Sequence, residues 1–239
     1  MPPAAGAPLP SLYAQTVDVV RGILPVLLAG AGVIALTGIV PDAPVLRSLA
    51  FIVATLAGAM VAYAACLFVL SRGAVAGSEA FPLARSGSGV LFIMAWIFPP
   101  LLLLLVETIL SEAIGAGEGA ITYLSVVDGL IFLFLLARYG TVYPAIVDRG
   151  DPSLVAAGER VPTGAVFWRL LGASLFGVAV LLGILVLFFI LDAISPPGIG
   201  FAVAVLTRLA TFACILSIFV AMVVVLCNAY RGAYGPRPA

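Results

Sequence analysis

Five stretches of this chain, residues 22–41, 48–71, 86–106, 170–191 and 209–230, contain no charged side chain. Each is at least as long as the roughly 20 apolar helical residues needed to cross a hydrocarbon layer about 30 Å thick. A sixth stretch, 120–143, is equally apolar but holds Asp128 and Arg138. No water is available in that layer to satisfy backbone groups. Long runs without polar alternation are therefore helices, since barrel strands would be about half as long and alternate in polarity. The pattern predicts an all-α protein, a polytopic transmembrane bundle of six spans over residues 22–230. Residues 1–21, which begin Pro/Ala-rich, and 231–239 form terminal segments outside it.

Composition narrows the chemistry. Only 9% of the 239 residues are charged and 64% are hydrophobic, against about a quarter charged in soluble domains. All eleven basic residues are arginine, so the usual proton shuttle, metal ligand and Schiff-base nucleophile are missing. No paired carboxylate or nucleophile motif stands out, and the chain reads as non-enzymatic and without cofactor. A formal charge of zero argues against nucleic acid as a partner, because phosphate binding needs a basic surface. Cys66, Cys214 and Cys227 fall in apolar runs and read as small core residues. Their spacing implies neither a disulfide nor a metal site.

Arginine bookkeeping over the short loops sets the orientation. With the N-terminus inside, the inner segments hold Arg21, Arg72, Arg85, Arg138, Arg149, Arg160, Arg169, Arg231 and Arg237, and the outer ones only Arg47 and Arg208. Both termini are therefore expected in the cytoplasm, with the protein in a bacterial inner membrane. Ser11 is a candidate N-cap for a short helix reaching Arg21. A cleaved signal is the weaker reading of this end, because the apolar run 22–40 exceeds a typical signal core and no small-residue cleavage site follows. The outer loop 107–118 carries three acids and no base, which fits an ordinary solvated loop.

Small residues at helical spacing allow close helix approach in lipid. Such stripes are Ala54, Gly58 and Ala62; Ala173 with Gly177; Ala179 with Gly183; and Ala213, Ser217 and Ala221. They fit a compact bundle or a face for self-association or for another membrane protein.

Two places inside the spans are chemically awkward. Pro99 and Pro100 deprive the carbonyls of Ala95 and Trp96 of their helical donors, which predicts a kink. Asp128 near the midplane would cost about 2.5 to 3.5 kcal/mol. If the span instead runs from residue 126 to 147, Asp128 reaches the outer interface and Arg138 is the buried charge. Ten residues separate the two, about 15 Å along a helix, so only one of them can be central.

Residues 136–172 concentrate four arginines and three acids. Tyr143 and Pro144 are expected to close the fourth span. Asp151 and Pro152 then open a short interfacial helix through residues 155–160. Thr163 is expected to cap the fifth span, with Trp168 and Arg169 as its interfacial anchor. Arg138 is a candidate partner for Asp148 or Glu159. The pattern R-x5-PA-IV-D, a short helix, and TG-x2-FWRLLG resembles the membrane domain of glycerophosphoryl diester phosphodiesterase membrane-domain proteins and related six-span bacterial inner-membrane proteins. It is carried by Arg138, Pro144, Ala145, Asp148, Thr163, Gly164, Trp168 and Arg169. Asp148 stands where a glutamate is usual, and the short helix lacks the serine and tryptophan usual before Thr163. The resemblance implies fold and location, not phosphodiesterase activity, which in such proteins belongs to a separate catalytic domain.

The resulting expectation is a non-enzymatic accessory, scaffold or lipid-interacting protein whose first partner is the bilayer. The alternative is a small-solute or ion transporter using Asp128 and a cavity at the Pro99 kink.

Overall fold

The computed structural model describes residues 11–37, 44–75, 79–114, 118–153, 156, 159, 161–194 and 200–234. Among them are nine helices and no strand. In chain order they are α1 (Leu12–Gly22), α2 (Leu24–Thr37), α3 (Pro44–Leu70), α4 (Ala80–Leu83), α5 (Gly87–Ile114), α6 (Glu118–Tyr139), α7 (Val142–Arg149), α8 (Thr163–Ile194) and α9 (Gly200–Tyr234). The stretches Leu49–Leu70, Thr163–Leu191 and Ala202–Tyr234 are each long and apolar enough to cross a membrane alone. Two further crossings arise if α1 with α2, bent by 79°, and α6 with α7, bent by 42°, each count as one broken span. α5 is 28 residues long and adds an apolar helix over Gly87–Pro99. An all-helical, membrane-spanning architecture is thus established, and six spans are compatible with it.

The last helix organises the bundle. α9 packs against α8, α1, α2, α3 and α7, and its run Met222 to Cys227 is buried without interruption. Such close approach requires small partners, and α3 supplies them with buried Ala59, Ala62, Ala65 and Cys66. Cys66 Sγ lies 3.6 Å from Cys227 Sγ. The packing face of α3 is therefore turned from the expected stripe, for a Cβ added at Gly58 would meet nothing within 4 Å. On α8, Gly177 is pressed against Ile218 of α9. Ala179 and Gly183 lie exposed on the far side, with open space beyond Gly183. That side of α8 is exposed and apolar, through Leu182, Val186 and Phe189 among others, as a lipid-facing surface must be.

Both bends have local causes. Ser11 caps α1 by accepting from the Ala14 N–H at 3.2 Å, as its position in the sequence suggests. At the other end Gly22 lies under the Phe68 ring, where a side chain would collide, and fully buried Ile23 forms the turn. The fourth span breaks at Gly140 and Thr141, not at Tyr143 and Pro144 as expected. Gly140 is required there because a Cβ would overlap the Leu136 carbonyl and the Leu226 side chain. Pro144 falls in the first turn of α7, where a helix has no use for its missing N–H.

Candidate functional site

The arginine-rich end of the bundle gathers the first turns of α8, the last turn of α3, the end of α9 and all of α1. Arg72 (φ 56°) and Gly73 (φ 80°) terminate α3 in left-handed conformations. The Gly73 N–H reaches the Phe68 carbonyl at 2.9 Å and the Arg72 N–H that of Val69 at 3.1 Å, a paired helix-ending motif. Arg231 of α9 then donates from Nη2 to the carbonyls of Val69 and Leu70. A cation at a helix C-terminus is favoured by the helix dipole as well as by the hydrogen bonds. Asn228 Nδ2 donates to Gln15 Oε1 at 2.7 Å and fastens α1 to α9.

Two hollows meet at this end. A groove of about 900 Å³ runs between α1, α8 and α9. Its walls are apolar apart from Thr16, Ser217 and two guanidinium groups, Arg21 and Arg169. Tyr13 and Phe176, both exposed, close part of its mouth with an edge-to-face ring contact at 6.2 Å. A basin of about 1000 Å³ lies between α1, α3, α8 and α9 and is lined by Asp18, Arg72, Arg169, Asn228 and Arg231 among others. Leu12 and Arg169 belong to both linings. An apolar trough and a cationic bowl thus share a boundary at Arg169.

Of the expected anchor residues Arg169 lines both hollows, while Asp148, Asp151, Thr163 and Trp168 belong to neither lining. Trp168 is 69% exposed and contacts the Phe167 ring at 5.8 Å, in keeping with an interfacial aromatic. Thr163 does not stand before α8 as a cap. It is the first helical residue, and its hydroxyl accepts from Arg138 Nη1 at 3.4 Å. Arg138 therefore joins the end of α6 to the start of α8 and does not pair with Asp148. Asp148 instead accepts from the Tyr230 hydroxyl at 2.7 Å and from Arg149 Nε at 3.4 Å. Arg149 lies 5.3 Å from the Tyr234 ring centroid, and Tyr230 and Tyr234 are stacked. Asp151 Oδ1 accepts from the Ser153 N–H at 2.9 Å, and Ser153 Oγ from the Ala156 N–H at 3.3 Å. Of the expected interfacial helix, Ala156 and Glu159 are helical, and residues 154, 155, 157, 158 and 160 lie outside the described residues.

The intramembrane candidates stand apart from this end and from each other. Asp128 is half-buried on α6, and its Oδ2 is buried with no hydrogen-bond partner among the described residues. Side chains 110–125, from the end of α5 into α6, lie outside that description. α5 passes through Pro99 and Pro100 as one helix, and the Pro100 ring is outside the described side chains. A cavity of about 440 Å³ does adjoin Pro99, but it is lined by apolar groups such as Phe98, Leu136 and Ile146, and Asp128 is not among them. The Ala95 carbonyl, freed by Pro99, accepts from the Tyr143 hydroxyl at 3.3 Å. Tyr143 also packs its ring on Trp96 at 4.9 Å and on Phe92 at 5.7 Å.

The charge pattern of residues 136–172 led to Arg169 but passed over Arg21 and the groove. The available signal was the spacing of Leu12, Thr16, Val19 and Ile23, which gives α1 one inward face. Among the described residues no three His, Cys, Asp or Glu side chains come together as metal ligands would. Comparison with family models, curated proteins and solved structures returns no match for this chain.

Proposed function

We propose that the chain is a non-enzymatic, multi-pass protein of a bacterial inner membrane, with both termini cytoplasmic, that holds lipid as an accessory or scaffold component. The observation that carries this reading is the apolar groove between α1, α8 and α9, with the exposed rings of Tyr13 and Phe176 in its wall. Concave, mostly apolar sites with a few convergent polar groups are where amphiphilic ligands bind. The excess of arginine over the inner segments supports the orientation, and the lack of histidine and lysine supports a non-catalytic role. Native mass spectrometry of the protein released in mild detergent tests the proposal. The expected result is a stoichiometric lipid adduct that disappears in Gly172→Phe, since Gly172 lines the groove with open space beyond its Cα. A lipid-free wild-type protein would overturn it. Crosslinking from position 168 tests the accessory role, against which recovery of lipid and self alone would count.

Asp128 supports a second reading, ion or small-solute transport, because a buried carboxylate oxygen with no partner among the described residues is costly inside a bilayer. Flux into proteoliposomes that vanishes in Asp128→Asn, with folding intact, is the outcome that would favour it.

A further inference from the structure

We propose that the groove and the basin form a single site for one anionic glycerophospholipid, with its acyl region between α1, α8 and α9 and its phosphate at Arg169. This rests on the lipid-holding reading above and specifies the headgroup. The first support is continuity: Leu12 and Arg169 line both hollows, so a molecule with an apolar tail and a charged head fits across the boundary. The second is charge. Arg21, Arg72, Arg169 and Arg231 line the two hollows against one acid, Asp18. The third is availability. Among the described residues the single ion pair is Arg149 with Asp148, and no hydrogen bond engages the side chains of Arg21, Arg72 or Arg169.

Arg169 lies between Arg21 on the groove side and Arg72 on the basin side, and an anion at their shared boundary offsets this like charge. Planar guanidinium forks match phosphate oxygens better than a point charge does. Arg231 plays a different part, since its Nη2 is committed to the carbonyls ending α3. It fixes the floor of the basin while Arg72 and Arg169 remain to take the ligand. The turn at Ile23 sets α1 at 79° to α2, which lays Arg21 across the end of the bundle at the height of the α8 first turns.

The test is titration of the purified full-length chain with phosphatidylglycerol or phosphatidylethanolamine, read by native mass spectrometry beside a thermal melt. The wild type should prefer the anionic lipid, and Arg169→Gln and Arg72→Gln should each lower its affinity by about fivefold. Retention of the neutral lipid and the melting temperature should hardly change. Arg72 lies exposed beyond the end of α3, so its variant keeps the test informative if Arg169→Gln fails to fold. Equal retention of both lipids, unaffected by either substitution, would overturn the headgroup assignment and leave the groove reading standing. Absence of any retained lipid would overturn both. Displacement of the lipid by free glycerol phosphate at equal concentration would assign the basin to a soluble anion and overturn the proposal.

Discussion

The Tyr143 hydroxyl donates to the Ala95 carbonyl at 3.3 Å, and Ala95 is the residue that loses its helical donor to Pro99. A proline in α5 is thus compensated by a side chain from α7, across the cluster of Phe92, Trp96 and Tyr143. Tyr143→Phe should destabilise the protein by about 1 to 3 kcal/mol, the cost of a buried acceptor left unpaired. In a Pro99→Ala background the restored N–H can serve Ala95, so the same substitution should cost clearly less. Melting in detergent of the four proteins of this cycle checks the coupling, and simple additivity would refute it.

Gly177 and Gly183 sit on the same helix but differ in what surrounds them. A Cβ at Gly177 collides with Ile218, while at Gly183 it meets open space. Gly177→Ala should cost about 1 to 3 kcal/mol through overpacking. Gly183→Ala should be neutral or stabilise by up to about 1 kcal/mol from helix propensity. If Gly183→Ala instead changed the oligomeric state on a sizing column, the exposed side of α8 would be a contact face between copies.

These cases indicate how far the sequence can be read. Span existence follows from charge-free length without polar alternation, because a run of that kind satisfies its backbone in lipid as a helix and not as a barrel strand, and so the long helices α3, α8 and α9 were legible. Which face of a span is packed was less legible. Ala54, Gly58 and Ala62 share a stripe, but neighbours on α2 and α9 select the face of Ala59, Ala62 and Cys66. The break in the fourth span depends on Leu226 of α9 pressing on Gly140, a contact 86 residues distant in the chain. Arg21 was legible as a charge and illegible as a wall of the groove. Its place depends on the turn at Ile23 and on the Phe68 ring over Gly22.

Arg231 is the residue whose loss should loosen the arginine-rich end most. It satisfies two carbonyls at the end of α3 from another helix. Arg231→Met keeps the aliphatic stem and removes the donors, so it isolates the capping contribution. Hydrogen bonds from a charged donor are worth about 1.5 to 3 kcal/mol, and partial exposure places the expected loss near the lower figure. Hydrogen exchange should rise selectively at residues 66–75, with α8 unchanged. Uniform exchange across the bundle would show that Arg231 does not act as a local cap.

Cys66, Cys214 and Cys227 should report on packing through reactivity. Cys66 and Cys227 are fully enclosed and face each other between α3 and α9, whereas Cys214 lines the groove between α1, α8 and α9. A small membrane-permeant maleimide should therefore modify Cys214 first in delipidated protein. Cys66 and Cys227 should be modified only as the bundle unfolds, because a thiol that reagent cannot reach is inert whatever its ionisation. Lipid added back should slow labelling of Cys214 and leave the other two unaffected. Mass spectrometry of the labelled protein gives all three rates. Early labelling of Cys66 would contradict the α3–α9 packing, and labelling of Cys214 that ignores lipid would place the lipid elsewhere than the groove.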